Sequence, residues 1–504
     1  YKYKIKSKPE LKKILQKSGP SKKSIMCHGV FDIVHPGHVR HLIHAKNRAD
    51  ILIVSLTSDK FISKGKFRPH VPEKIRSLNM SAFEMVDYVI IDDEKTPINL
   101  IKFLKPKFFA KGFEYTASEI NNNTLVEEKT VRSYGGRMVF TPGDIIYSSS
   151  NLLNFHSPKI EGEKLFSLMH DNKITFNQLK NTLKKFKKFK IHIIGDSIVD
   201  GYTYTSLSNS RNKTPTFSVI RDNVKNYIGG AAIVASHIKA AGANVTFTSI
   251  AGKDQLSKFL VKECKKRKIN LNLIIDETRP TTYKNVFIAN GYRLLKVDDV
   301  VNNSISQTIV KQISEKIRKT KTDGIVFSDF RHGIFNEKNI SIFSKNISRN
   351  TVKVADSQVA SRWGNICDFK NFDLITPNEL EARFSLAKQD NSIYELSKQL
   401  VDKTKCKNVI LKLGSNGIFC IEKKNTNKYF TLGSFVKNLI DPVGAGDALC
   451  SYATLALMAS GSIKIASILG ALAAACECEF DGNIPIEPSE VLKKIDYYEK
   501  ISKI

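Results

Sequence analysis

"GVFDIVHPGHVRHLIHAK", Gly29 to Lys46, sets four histidines, His35, His38, His41 and His44, at intervals of three. It follows the apolar run "SIMCH", which reads as a strand, and the residues after Pro36-Gly37 keep helical spacing. A strand therefore enters a loop, and a helix starts at the Pro-Gly-His. Proline suits a first helical turn, and glycine lets a ligand approach the backbone closely. A helix start offers unpaired N–H groups and the positive end of the peptide dipoles, which together hold anions. His35 and His38 stand at that end and can donate to phosphate oxygens. A metal site fits less well. Helical metal pairs favour a spacing of four, no glutamate lies inside the run, and Pro-Gly interrupts the first pair. His41 and His44, further along, read as packing or surface residues.

Strands and helices alternate outward from this stretch. "DILIVSLTSD", "VDYVIID" and "KFFAKG" read as strands, and "PEKIRSLNMSAFEM" and "INLIKFLKP" as helices. Such a βαβ series forms a parallel sheet with helices on both faces. After Asn151 the chain turns polar and basic, so the expected division is 1–150, a basic helical linker at 151–189, and 190–504. The run "KKFKKFK" in that linker reads as a solvated helix end. A second α/β region opens on the strand "KIHIIGDSIVDG". It continues through short buried strands such as "TDGIVFSDF", "TVKVADS" and "KNVILKLG", and closes with the small-residue helices "AGDALCSYATLALMASG" and "KIASILGALAAACECEF".

The bulk properties agree. A chain of 504 residues exceeds one ordinary core, and 41% hydrophobic content is typical of a globular protein. No apolar run is long enough to span a bilayer, and the basic N-terminus lacks the apolar core of a signal peptide, so cytoplasmic residence is expected. Eight scattered cysteines form no CxxC pair and read as buried thiols. The net charge of +30 attracts anions. It is spread along the chain without any RRM, KH, zinc-finger or helix-turn-helix pattern, so phosphorylated small molecules are favoured over nucleic acid.

A second anion site appears in "DPVGAGDAL", Asp441 to Leu449. Gly444, Ala445 and Gly446 can turn their N–H groups into one cavity at a helix start. Asp447 falls on the first turn beside them. It reads either as a helix cap or as a base that takes a proton from a hydroxyl attacking a phosphate.

Two resemblances bear on these sites. "GVFDIVHPGH" resembles the GxFDxxHxGH signature of cytidylyltransferase-like nucleotidyltransferases, and "SDKFISKGKFRP", "EKIRSLNMSAFEMVDYVI", "TPINLIKFLKPKFFAKGFEY" and "GGRMVFTPGDIIYSSSNLL" follow in the family's order. The resemblance implies a Rossmann-like domain that holds a nucleoside triphosphate, ATP or CTP. It places Gly29, Phe31, Asp32, Gly37, His35 and His38 in the first loop, with Asp32 orienting the loop or the sugar. Lys64, Arg76 and Lys111 become phosphate cations, and Ser148, Ser149 and Ser150 triphosphate donors.

The second half resembles the ribokinase-like (PfkB) sugar kinases, whose DTxGAGD signature matches "DPVGAGD". This implies a three-layer α/β/α domain with a small β lid, and gives Asp447 the role of base. "GDSIVDG" places Asp196 and Asp200 as sugar-hydroxyl acceptors, and "GGAAIVASHIKAAGA" places Gly229 and Gly230 beside the sugar. "ITPNELEA" puts Asn378 and Glu381 near phosphate, and "LKLGSNGIF" puts Gly414 and Gly417 on the nucleotide side. Mg²⁺ would come mainly on the nucleotide phosphates, near Glu381. "RPTTYKNVFIANGYRLLKVDD", with Lys284, resembles the heptose-phosphate kinases. Taken together the halves resemble bifunctional heptose-phosphate kinase/nucleotidyltransferases of lipopolysaccharide precursor synthesis, with the domain order reversed. Kinases of this type pair through the lid, here Tyr202–Arg221 and Thr281–Val297, which implies a homodimer. The alternatives are a cytidylyltransferase for a small polyol or sugar phosphate fused to a kinase for another sugar, and a nucleic-acid-binding protein built on inactive enzyme folds.

Overall fold

In the first of two units, Tyr1–Glu161 and Gly162–Ile504, parallel strands β1 (Ser24–Gly29), β2 (Ile51–Thr57), β3 (Tyr88–Asp92), β4 (Phe108–Gly112) and β5 (Arg137–Thr141) form a sheet. Its order is β3-β2-β1-β4-β5. The computed structural model describes residues 1–19, 21–62, 69–112, 122–141, 162–208, 218–358, 365–480, 482 and 484–502. Lys64, Ser148, Ser149 and Ser150 lie outside the described residues.

Alternation along the strands explains the two apolar faces. Ile25 and Cys27 pack with Leu52, Val54 and Ala110 on one side, and Met26 with Ile51, Ile53 and Phe109 on the other. β1 is central, and the strand order reverses beside it. Ligands of open α/β sheets sit at the carboxyl ends of the strands at such a reversal. Gly29, Lys111, Gly112 and Thr141 all end strands on that edge, and the Pro36–Lys46 helix starts from it.

The second unit has thirteen strands among its described residues: β6 (Lys190–Gly195), β7 (Ser197–Leu207), β8 (Val219–Gly230), β9 (Asn244–Ala251), β10 (Asn270–Ile275), β11 (Tyr283–Ala289), β12 (Tyr292–Asp299), β13 (Gly324–Asp329), β14 (Val352–Ser357), β15 (Leu374–Ile375), β16 (Asn408–Lys412), β17 (Ile418–Glu422) and β18 (Tyr429–Leu432). The main sheet runs β10-β9-β6-β13-β14-β15-β16-β17-β18; it is parallel as far as β16, and β17 and β18 add an antiparallel edge. β12-β11-β7-β8 form the lid. Inward and outward residues alternate again. Ile193, Val326, Val354 and Ile410 face one helical layer, while Ile194, Phe327, Ala355 and Leu411 face the other. This is the three-layer α/β/α arrangement.

"KIHIIGDSIVDG", read as one strand, divides at Asp196. β6 stays in the main sheet and β7 leaves into the lid. Packing is close at the break, where a Cβ on Gly195 would lie 2.1 Å from the Ser328 carbonyl oxygen. Two helices within the basic 151–189 stretch, Glu163–Asp171 and Phe176–Lys185, pack on the second unit's core through Leu165, Leu168, Leu179 and Leu183. Lys184, Lys185, Lys187 and Lys188 of "KKFKKFK" are exposed as expected of a helix end. Phe186 between them is fully buried, its ring edge-on to Tyr452 at 5.8 Å. No described helix is long and apolar enough to cross a membrane.

Two candidate active sites

The first site is built on the turn after β1. Phe31 takes a left-handed φ of 47°, an uncommon conformation for a residue with a side chain. This lays its ring against Gly29, where a Cβ would come within 3.1 Å of it, and brings it 4.9 Å from the His38 ring. His35 caps the helix, its Nδ1 accepting the Gly37 N–H at 3.1 Å. An accepting Nδ1 leaves the ring proton on Nε2. The His35 and His38 ring centres are 3.9 Å apart. His38 Nδ1 is buried and has no hydrogen-bond partner among the described residues. Burial, then the neighbouring His35 and His41 rings, lower His38 to about 4. It is therefore uncharged at neutral pH, and its ring also hydrogen-bonds the Ile33 backbone.

The later histidines differ. His41, lowered to about 4 chiefly by burial, hydrogen-bonds through Nδ1 to Thr141 Oγ1 and so ties the helix to β5. His44 lies on the last helical turn. A fifth histidine, His28, escaped the sequence reading. Its ring bridges Ser55 at 2.9 Å and Thr57 at 3.2 Å, and burial, then the Lys111 charge, push it down to about 3.

Asp32 orients a loop: its carboxylate accepts the N–H groups of His70 at 3.0 Å and Val71 at 2.8 Å. Arg76 requires a correction. Expected to face phosphate, it is fully buried and serves as an internal clamp. Nε donates to the Val71 carbonyl at 2.9 Å, the Nη groups to the carbonyls of Val30 and Thr57, and Nη2 pairs with Asp59 at 2.6 Å. A guanidinium held this way has its charge and donors committed to the protein. Arg76→Met is expected to destabilise the protein by about 3 kcal/mol or more, because buried carbonyls and Asp59 lose their partner. Chemical denaturation of the full chain would measure it. Lys111 stands at the end of β4, as expected, in an ion pair with the buried Glu127, which no sequence signal had singled out.

The second site lies along the carboxyl ends of β6, β13, β14, β15 and β16. Gly444 takes φ of 85° as the N-cap of the Ala445–Ser460 helix, and Asp447 sits buried in the first turn. Burial, then the charge of Asp356, raise Asp447 to about 8; Lys412 opposes them. Asp356, buried near the end of β14, accepts from Thr376 Oγ1 at 2.8 Å and pairs with Lys412 Nζ at 2.9 Å. Neither Asp356 nor Lys412 was picked out from sequence.

Asn378 and Glu381 form a capping box at the start of the Glu379–Leu386 helix. Both Glu381 oxygens accept from Asn378, its N and Nδ2, at 2.6 Å each. Burial holds Glu381 above the usual carboxylate range. Gly414 and Gly417, with φ of 58° and 85°, shape the turn between β16 and β17. A Cβ on Gly417 would meet the Leu432 carbonyl at 2.0 Å.

The residues expected on the sugar side converge where β6 passes into the lid. Asp196 Oδ2 accepts from Phe330 N at 2.9 Å and His332 N at 3.2 Å. Its Oδ1 is buried with no partner among the described residues. Burial and the nearby Asp329 raise its proton affinity. Asp200 is raised to about 6, chiefly by burial. Gly229 makes room for it, since a Cβ there would come 1.9 Å from Asp200 Oδ2; Gly230, at φ of 59°, abuts the Asp196 carbonyl. Lys284 lies opposite Asp200 in the β11–β7 register. Among the described residues no group of three or more His, Cys, Asp or Glu side chains is arranged to hold a metal ion.

A helix start at the crevice of a five-stranded parallel sheet, and another beside a buried carboxylate in a three-layer domain with a β lid, fit a nucleotidyltransferase-like domain followed by a ribokinase-like kinase domain. Comparison with known proteins agrees. The pfkB family carbohydrate kinase model matches residues 188–489, and the cytidylyltransferase-like model residues 26–153. The chain belongs to the pfkB family of carbohydrate kinases and has a cytidylyltransferase-like domain ahead of the kinase domain.

Its relatives include the bifunctional protein HldE of Campylobacter concisus, 40% identical over 130 residues, which are 25% of this chain and 27% of that one. HldE of Geobacter metallireducens is 40% identical over 119 residues, 23% of each chain. These matches lie in the N-terminal quarter, and the chain spans about a quarter of the length of these curated relatives. Escherichia coli phosphofructokinase-2, solved in complex with potassium, shares the kinase fold with a TM-score of 0.52 and 17% identity, covering 62% of this chain and 99% of that one. The same enzyme with substrates and products gives the same TM-score and identity.

Proposed function

We propose that the chain catalyses two reactions in separate units. In the kinase unit a hydroxyl of a sugar phosphate, D-glycero-D-manno-heptose 7-phosphate at O1, attacks the γ-phosphorus of ATP. The new O–P bond forms as the β–γ bridge breaks, Asp447 takes the hydroxyl proton, and ADP leaves. In the first unit an oxygen of a sugar 1-phosphate attacks the α-phosphorus of a nucleoside triphosphate. The α–β bridge breaks, pyrophosphate leaves, and an NDP-sugar of the ADP-heptose type results. Mg²⁺, when bound to the nucleotide phosphates, would supply charge neutralisation. The chain's own residues position: His35 and His38 by hydrogen bonds, Lys111 by charge, and the 444–446 turn by backbone N–H groups. Soluble sugar phosphates and nucleotides as substrates are in keeping with a cytoplasmic protein.

The observation that supports this most directly is that each unit has a helix start, its backbone N–H groups suited to an anion, at the carboxyl edge of its own sheet. The HldE relatives support the heptose assignment through the first unit only. Purified protein should be incubated with ATP or CTP and a panel of sugar phosphates, and the products read by mass spectrometry. The proposal expects a heptose bisphosphate and an NDP-heptose. Turnover of a polyol phosphate with CTP instead would replace the nucleotidyl assignment.

Gly229→Ala is expected to displace Asp200 and raise the KM for the sugar about tenfold while leaving that for ATP unchanged. Initial rates with each substrate varied in turn would show it. We also place a homodimer contact on the lid, where β12 is exposed throughout and Ile220, Tyr292 and Leu295 present apolar surface on edge strands. Light scattering of the full chain tests that contact.

A further inference from the structure

The Lys412 ammonium occupies an unusual place. It projects from the end of β16, whose backbone is fixed by a hydrogen bond from Lys412 N to the Pro377 carbonyl at 2.8 Å. Its aliphatic stem and Nζ lie beneath the first turn of the Ala445–Ser460 helix. A Cβ on Gly446 would sit 3.1 Å from Nζ, 3.7 Å from Cδ and 3.8 Å from Cε. A side chain at position 446 would press on the lysine packed against it. A cation at a helix N-terminus is opposed by the peptide dipoles. Here carboxylates outweigh that repulsion. Asp356 pairs with Nζ at 2.9 Å, its geometry locked by Thr376 Oγ1, and the buried Glu381 adds a second negative charge.

The residue next to Gly446 is Asp447. The groups facing it from every packed element are Asp356 on β14, Lys412 on β16, Asp200 on β7, Glu381 on the Glu379–Leu386 helix, Glu477 on the Ile463–Glu477 helix and Cys450 on its own helix. Lys412 is the single cation in this set. Burial is the largest influence holding a proton on Asp447 and Asp356 the next, and Lys412 is the charge that opposes them.

We propose that Lys412 is a positioning residue for phosphoryl transfer, its ammonium fixed by Asp356 against Gly446 so that Asp447 can shed its proton and act as base. This rests on the kinase reading above for its consequence, but not for its test. Difference infrared spectroscopy of the carboxyl stretch, each protein measured against its own Asp447→Asn counterpart, titrates Asp447 without any substrate. In the otherwise unaltered chain the midpoint is expected at about 8.

Lys412→Met should raise that midpoint by about one to three units, since it removes an adjacent opposite charge. Asp356→Asn should lower it, since it removes a like charge while the ammonium stays. Lys412→Arg should restore the original midpoint at least in part. Opposite movements in the first two variants establish the role. An unmoved midpoint in Lys412→Met, or movement of both variants in the same direction, overturns it. Thermal melts identify a variant that fails to fold; should Lys412→Met be one, Lys412→Gln takes its place, with the same rise expected and an unmoved midpoint again overturning the role. If the midpoints move as stated but the protein transfers no phosphoryl group from ATP to any sugar phosphate, the kinase reading fails while the Lys412 assignment stands.

Discussion

Asp447→Asn is expected to lower sugar phosphorylation about a thousandfold or more and to leave nucleotidyl transfer unchanged. The substitution is nearly isosteric and keeps the helix cap, so the 444–446 turn and its N–H groups persist. What it removes is the proton acceptor. Burial, then Asp356, place that acceptor near 8, with Lys412 pulling the other way. The sign follows directly. Only the ionised form can take the hydroxyl proton, so kcat/KM for phosphorylation in the native protein should rise with pH through about 8. The Asn variant should show no such limb. Paired assays of the two activities across pH provide the measurement. Equal loss of both activities with an unchanged melting temperature would show that the units do not work as separate sites.

The parts of this site that were legible in the sequence are local ones. "DPVGAGD" specifies a turn, a helix start and a carboxylate within seven residues, and the structure keeps them together. The Gly229-Gly230 pair was placed beside the sugar by resemblance alone, and the group that Gly229 makes room for, the Asp200 carboxylate, is set by pairing between β7 and β8. Lys412 and Asp356 were not legible. They stand 56 residues apart, in strands whose apolar pattern reads only as core, and they meet because β14, β15 and β16 are neighbours.

Arg76 shows the converse error. Resemblance to the cytidylyltransferase-like family implied an anion contact for it, but its partners Val30 and Thr57 lie 46 and 19 residues away and converge on it only in the folded unit. Phe186 is intermediate. The lysines around it read as solvated, and they are, whereas Leu179, Leu183 and Phe186 repeat at four and three residues, a helical stripe that signals a packed face.

His38→Ala is expected to produce the mirror image: nucleotidyl transfer falls by about a hundred- to a thousandfold, and sugar phosphorylation is unchanged. On the proposed reading, truncation takes away a neutral hydrogen-bonding ring from the place where negative charge builds on the transferring phosphoryl group. Because burial, then His35 and His41, hold His38 near 4, it is neutral throughout the working range. The effect should therefore be nearly independent of pH between 6 and 8, unlike that of Asp447. His38→Gln, which keeps a neutral donor, should recover part of the rate, whereas His41→Ala should act mainly on stability through the lost bond to Thr141. The ring also supports Phe31 at 4.9 Å, so a melt of His38→Ala must accompany the assay. A pH-dependent defect, or no recovery in a folded Gln variant, would show that His38 acts by charge or by packing and not as the phosphate donor.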